Sequence, residues 1–254
     1  MLVDTHAHIQ WASFDKDREK VISRAQKASV GNIVNIGFDL DGSVKGVELA
    51  EQHNGLYATV GIHPHNAIRL DQNVLNKLGE ISRHPKVVAI GEIGLDYYRN
   101  LSPREAQKKA FEAQLFLAGE LELPVVIHDR EAHSDILEII SRFKGKVRGI
   151  MHCFSGDKEM AEQIIELGFL VSFAGNVTYP NAHKLRETAR WIDLDSILIE
   201  TDSPWLPPQA MRGKRNEPCF LPFIAREIAE LKGIATEELA DATTMNAKEI
   251  YQLP

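Results

Sequence analysis

The sequence predicts a closed barrel of eight parallel strands surrounded by helices, a (β/α)8 TIM-type α/β fold in one domain spanning residues 1–254. Three observations predict it. The chain has 254 residues, close to the roughly 250 typical of such barrels. Eight short β-branched runs alternate with longer amphipathic stretches, the pattern of a parallel sheet with helical crossovers. An open doubly wound sheet would carry a G-x-G-x-x-G fingerprint after its first strand, and none is present.

The strands fall at 2–6 (LVDTH), 32–37 (NIVNIG), 57–62 (YATVGI), 87–92 (VVAIGE), 124–128 (PVVIH), 148–152 (RGIMH), 169–173 (FLVSF) and 196–200 (SILIE). Helical patterns run between them at 15–28, 41–53, 71–83, 103–122, 131–142, 157–167 and 181–191. Ser102-Pro103-Arg104-Glu105 reads as an N-cap serine, a proline at the first helical position and a capping-box glutamate. Gly168 stands where a helix ending at Leu167 needs a left-handed residue. Two extra helices, near 220–232 and 236–250, close the chain.

Composition narrows the function classes. The chain is 44% hydrophobic and 26% charged, with a net charge of −7, which argues against a surface that coats DNA nonspecifically. A nucleic-acid enzyme remains possible, because bound cations can supply the local positive charge. Cys153 and Cys219 are the only cysteines, too few for a disulfide framework. The start of the chain lacks a basic signal-peptide segment, and no apolar run reaches membrane-span length. The expectation is a cytoplasmic protein with no membrane association and no obligate protein partner.

The ends of the strands carry the chemistry. The first ends in DTHAH (4–8), and residues two apart on a strand share a face, so His6 and His8 would stand side by side. Alone, these five residues fit a frayed terminus equally well. The third strand runs into His63-Pro64-His65, the fourth ends in Glu92, the fifth in His128, the sixth in His152, and the eighth in Glu200 and Asp202. In a (β/α)8 barrel these ends meet on one face. So many titratable groups gathered there would be costly to bury without a cation. Parity agrees: Val88, Ile90 and Glu92 share a face, as do Val126 and His128, and Leu198, Glu200 and Asp202.

Imidazoles and carboxylates without thiolate suit zinc, manganese or, with enough carboxylate, magnesium. His6, His8, His128, His152, Glu92 and Asp202 are too many for one closed tetrahedral site. They suffice for two divalent ions with open positions, with Glu92 as the bridge because its two oxygens can serve both. Glu200 lies one layer deeper than Asp202, where it could accept the distal N–H of a ligating histidine.

The ordered set DTHAH (4–8), GIHPH (61–65), GEIGLDYYR (91–99), IHDR (127–130), HCFSG (152–156), TDSPWLPP (201–208) and RGKRNEP (212–218) resembles the TatD family of metal-dependent deoxyribonucleases, amidohydrolase-like barrels. The resemblance runs nearly end to end. It implies a distorted barrel, a divalent metal centre held by His6, His8, Glu92, His128, His152 and Asp202, and exonuclease-like activity on DNA.

Other motif residues fit a phosphate-binding mouth. His63 and His65 would bind phosphate or donate a proton; with Asp202 and Glu92 they are the catalytic candidates. Arg99 and Arg130 could contact phosphate, and Tyr97 and Tyr98 could stack on bases, although Asp96 and Arg99 fit loop fixing equally well. Arg212, Lys214 and Arg215 form the strongest local basic cluster. Cys153 has the opposite strand parity to His152 and is expected to pack between barrel and helices. Trp205 is expected mainly to pack.

The function expected is two-metal phosphodiester hydrolysis at DNA ends or short single strands, with an activated water attacking in line and Asp202 orienting it or taking its proton. Alternatives are an ester or C–N hydrolase on the same barrel, such as an aminoacyl-tRNA ester deacylase, and a catalytically silent metal-binding protein. Many amide-cleaving relatives on this barrel bridge their metals with a carbamylated lysine at the end of strand four. Here that end is Gly91-Glu92, and Lys86 precedes the strand at the opposite face.

Overall fold

Each β-branched run becomes a strand and pairs in parallel with the next, in the order β1 to β8. The computed structural model describes residues 1–254. The strands are β1 (Leu2–Ala7), β2 (Val30–Asn35), β3 (Leu56–Val60), β4 (Val87–Asp96), β5 (Val125–Arg130), β6 (Gly149–Met151), β7 (Phe169–Phe173) and β8 (Ile197–Ile199). The helices between them are α1 (Arg18–Lys27), α2 (Leu40–Gln52), α3 (Gln72–Ile81), α4 (Arg104–Leu121), α5 (His133–Ser141), α6 (Lys158–Glu166) and α7 (His183–Trp191), followed by α8 (Leu221–Lys232) and α9 (Thr236–Tyr251). No helix is long and apolar enough to cross a membrane.

Two apolar layers hold the barrel. The larger lies between strands and helices and includes Ile33, Ile90, Ile127, Phe111, Ile140 and Ile164. The smaller fills the interior with Val3, Val34, Val88, Val126, Ile150 and Leu198, each near the start of its strand apart from Val34, and with Ala247, Ile250, Tyr251 and Leu253 from the end of the chain. Tyr251 donates its hydroxyl to the Thr5 carbonyl at 3.0 Å. The end of α9 thus packs the interior, and the opposite mouth is left for polar side chains.

The barrel closes through a side chain and one isolated parallel bridge, Ala7 to Ser203, rather than a regular ladder. Beside β8, Asp4 accepts from the Thr201 backbone N–H at 2.9 Å and the Thr201 hydroxyl at 2.6 Å. Further along, Asp202 N donates to His6 O and His8 N to Ser203 O, both at 2.8 Å. This seam draws the two ligand-bearing segments, 6–8 and 201–203, against each other.

Three local expectations differ. β4 runs four residues past Glu92, to Asp96. Three steps on β4, from Ile90 to Ile93, match two on β5, so a bulge sits at Gly91-Glu92 and re-aims the Glu92 side chain. The backbone approaches β5 closely there: a Cβ at Gly91 would meet Val126 Cβ at 2.7 Å. Second, Ser102 does not cap α4. Pro103, with ψ 141°, takes the N-cap position, and the buried Ser102 hydroxyl donates to His65 O at 2.8 Å. It ties the loop after β3 to the loop after β4. Third, the helix expected from residue 15 begins at Arg18, after a short 3-10 turn at Ala12–Phe14. Gly168 does adopt the left-handed conformation, with φ +87°.

Candidate metal centre

Eight candidate side chains converge on the open mouth: His6 and His8 at the end of β1, His63 after β3, Glu92 on β4, His128 on β5, His152 after β6, and Glu200 and Asp202 after β8. Glu92 stands among them, only 4% exposed. Its Oε2 faces one group, 3.6 Å from His6 Nε2 and 3.7 Å from His8 Nε2. Its Oε1 faces another, 2.7 Å from His128 Nδ1, 2.9 Å from His152 Nε2 and 3.4 Å from His63 Nε2. Asp202 Oδ1 joins the first group at 3.7 Å from His6 Nε2 and 3.8 Å from His8 Nε2. Donors bonded to one tetrahedral zinc at 2.0–2.1 Å stand about 3.3–3.4 Å apart, so the separations of 3.4 to 3.8 Å suit donors that share a cation, while those of His128 and His152 to Glu92 are hydrogen-bond distances.

The outer hydrogen bonds set the tautomers. His8 Nδ1 lies 3.1 Å from the Ile36 carbonyl, which assigns its proton to Nδ1 and leaves Nε2 bare. His152 lies between two carboxylates, with Nδ1 3.1 Å from Glu200 Oε1 and Nε2 2.9 Å from Glu92 Oε1. His128 does the same, with Nε2 3.3 Å from Asp96 Oδ2 and Nδ1 2.7 Å from Glu92 Oε1. The outer carboxylate fixes each ring, and a divalent ion would take the place of the proton on the inner nitrogen, so the donor set fits divalent ions.

Burial and mutual charge shift every group. Burial alone would raise Glu92, but the His152 and His63 imidazoles and bonds from His128 outweigh it and hold its pKa well below the usual value. Burial alone would lower His152, but the Glu92 and Glu200 carboxylates push it well above. Burial lowers His6, and lowers His8 further. His63 is lowered to about 4, chiefly by burial. Asp202 is raised well above the ordinary range by burial, helped by the nearby Glu200 and Glu92. Its backbone is left-handed, φ +53°, a conformation that costs a non-glycine residue and recurs at functional sites.

Several residues sit differently from the pattern expected. Cys153 is not packed behind the barrel. With φ +43° it leaves strand geometry, and its backbone N–H donates to Glu200 Oε1 at 2.9 Å. β6 ends at Met151, so strand parity no longer applies at residue 153. Arg215 is not a free cation. It pairs with Asp17 at 2.8 Å and Glu217 at 2.9 Å and lies over the Phe14 ring. Arg24 completes the network on Glu217 at 2.8 Å. The guanidinium of Arg215 thus braces the loop. Arg212 stacks on Tyr179, and Lys214 is exposed. Arg130 is exposed and stacks on Tyr98 at 4.1 Å, and the neighbouring Asp129 bonds His133. Arg99 is exposed, with its backbone N–H on Asp96 Oδ1 at 2.7 Å.

Asp96 carries more of the site than the residue pattern suggested. It is 1% exposed, and its Oδ2 lies 2.8 Å from His65 Nε2 and 3.3 Å from His128 Nε2. Two buried glutamines of α4 were missed outright. Gln107 bonds both the N–H and the carbonyl of Asp96. Gln114 does the same for Ile62, just before His63. Their positions on the apolar face of α4, with Ala110 and Phe111 between them, were the available signal: an amide on a buried stripe must find partners.

Comparison with known proteins gives a consistent picture. A sequence profile described as TatD related DNase matches residues 3–252. YabD of Bacillus subtilis strain 168, described as an uncharacterized metal-dependent hydrolase, is 44% identical over 254 residues and 100% of both chains. The 3'-5' ssDNA/RNA exonuclease TatD of Erwinia tasmaniensis is 38% identical over 259 aligned residues, 99% of this chain and 100% of that one. The crystal structure of YjjV, a TatD homologue from Escherichia coli K12, superposes with a TM-score of 0.94 at 32% identity, covering 100% of this chain and 98% of the other.

Proposed function

The chain belongs to the family of TatD related DNases, as a metal-dependent hydrolase on a (β/α)8 barrel, and from that premise we propose that it removes nucleotides from the 3' ends of single-stranded DNA or RNA with two divalent cations. One observation carries the reading: the two oxygens of Glu92 face different histidine groups, His6 with His8 and His128 with His152. The exonuclease named among the relatives supports the substrate class.

In this reading His6, His8 and Asp202 would hold one ion, His128 and His152 would hold the other, and Glu92 would offer an oxygen to each. When bound, such ions lower the pKa of water and neutralise phosphate charge. The chain's own residues do the rest. Among the inner carboxylates, Asp202 has the most exposed side chain, 13% against 5% for Glu92 and 0% for Glu200. That exposure places it to accept the proton of the attacking water. Glu200 holds His152, and Asp96 holds His128, each fixing which nitrogen faces the centre. His63, with Nδ1 accepting from His65 N at 3.1 Å, keeps its proton on Nε2, where it can donate to a phosphate oxygen. Arg130, Arg212 and Lys214 draw the anionic strand to the mouth of an acidic protein. We place the activity in the cytoplasm, in one domain covering the whole chain.

The test is a panel of single-stranded DNA, single-stranded RNA, duplex DNA, an N-acyl amide and an aminoacyl-tRNA, with manganese, magnesium or zinc. Chelator-sensitive release of mononucleotides from single strands is expected. Turnover of the amide or the aminoacyl ester alone would overturn the reading.

A further inference from the structure

Two tryptophans are built onto the mouth by the same local device. Trp11 lies three residues after His8, and its N–H donates to His8 O at 3.0 Å. Trp205 lies three residues after Asp202, and its N–H donates to Asp202 O at 3.0 Å. In each case a tight turn directly after a candidate ligand sets an indole beside the centre. The two rings meet edge to face at 5.3 Å between centroids, and Phe38, just past β2, packs on Trp11 at 4.9 Å. Trp205 also packs on the ring of His8 at 5.0 Å. The backbone of Trp205 is braced by Asn216, whose amide donates to its carbonyl at 2.6 Å.

Packing alone would favour covering these rings. Instead Trp11 is 38% and Trp205 43% exposed. The large buried aromatics, such as Phe111 and Phe173, are 0% exposed. Rigid, partly bare indoles, one of them packed on His8, offer a flat surface beside the candidate metal centre. Arg212 and Lys214 follow Trp205 in the same connection between β8 and α8, and Arg130 ends β5, so cations that can hold the phosphates lie on the same mouth as the aromatic wall.

We propose that Trp11 and Trp205 form a nucleobase platform on which the base adjoining the scissile phosphate stacks. This rests on the nuclease reading above and adds what selects the end. A stacked base must have a free face, so a paired terminal nucleotide has to leave its helix first, and single strands are favoured. A π-surface without a fixed donor pattern accepts any base, which suits stepwise removal regardless of sequence.

The test compares an oligothymidylate with a natural 3'-terminal nucleotide and the same oligomer ending in an abasic tetrahydrofuran nucleotide, on the manganese-loaded protein. Base–aromatic stacking lost on alanine substitution reads as about 5- to 150-fold in affinity. The abasic end should therefore show a KM higher by that factor, with kcat changed much less. Trp205→Ala should raise KM for the natural end toward the abasic value and leave the abasic KM unmoved, while Trp205→Phe keeps most of the difference. Equal KM for the two ends in the unaltered protein overturns the platform and leaves the nuclease reading standing. Failure to cleave either end, in protein shown to hold its metals, overturns both. A Trp11→Ala/Trp205→Ala protein with altered oligomeric mass and unaltered KM would make the wall a protein interface and overturn the platform.

Discussion

Removing the Glu200 carboxylate should weaken metal binding and fold stability together, by amounts that two hydrogen bonds set. Glu200 is 0% exposed, and its Oε1 accepts from His152 Nδ1 at 3.1 Å and from Cys153 N at 2.9 Å. Glu200→Ala leaves both donors buried and unmet, at about 1–3 kcal/mol each. The metal-free protein should then lose roughly 2–6 kcal/mol of unfolding free energy. His152 also loses the partner that fixes its tautomer, an effect of about 10- to 100-fold on metal affinity. Glu200→Gln keeps an oxygen to accept both bonds but turns the unpartnered Oε2 into a buried donor, so its loss should be about 1–3 kcal/mol, smaller than that of Glu200→Ala. Urea unfolding in chelator measures the first quantity, and competition against a fluorescent zinc chelator measures the second. A Glu200→Ala protein with parental metal affinity would refute the assignment of Glu200 to His152. Equal damage by both substitutions would refute the hydrogen-bond arithmetic.

Asp96→Ala removes the common acceptor of His65 and His128, and turnover should fall about 10- to 100-fold, checked by steady-state kinetics at saturating metal; unchanged turnover would contradict the role given to it. Arg212→Gln with Lys214→Gln should raise KM for an oligonucleotide and flatten its salt dependence more than it lowers kcat. Arg215→Gln should instead lower stability with little effect on KM, because Arg215 pairs with Asp17 and Glu217. Asp17 titrates at about 2 in the fold, held down first by its bond from Arg215. Its contribution is full above about pH 4 and disappears as pH falls through about 2. The full difference would be about 2.4 kcal/mol, which partial exposure reduces to about 1 kcal/mol. The gap between parent and Arg215→Gln in urea unfolding should therefore be widest above pH 4 and narrow toward pH 2.

The residue pattern read most of the barrel because each strand carried its own evidence of burial. Val126 with His128, Ile150 with His152, and Leu198 with Glu200 continue single inward rows, and the structure keeps those rows. The pattern failed where backbone geometry changes over one residue. At Cys153 and Asp202 the left-handed conformation ends strand parity, and alternation cannot announce it. The expected Val88–Ile90–Glu92 row does not hold: Val88 fills the interior while Ile90 packs against the helices, because β4 changes register at Gly91-Glu92, where the bulge still leaves Glu92 facing the histidines. Long-range pairing was also out of reach. The seam made by Asp4 and Thr201 spans nearly the whole sequence, and the Arg24–Glu217–Arg215–Asp17 network joins two distant loops. A cluster of basic residues looks alike in sequence whether its guanidinium is free or paired. Asp96 had equal claims as a loop fixer and a site residue, and its contact with His65 and His128 needs the fold to be seen.

The proposed sharing of Glu92 between two cations is tested most directly by anomalous diffraction from crystals grown with zinc or manganese. Two peaks are predicted, one within bonding range of His6, His8 and Asp202, the other of His128 and His152, with an oxygen of Glu92 on each. A single peak, or two peaks with Glu92 bonded to neither or only one, would contradict it.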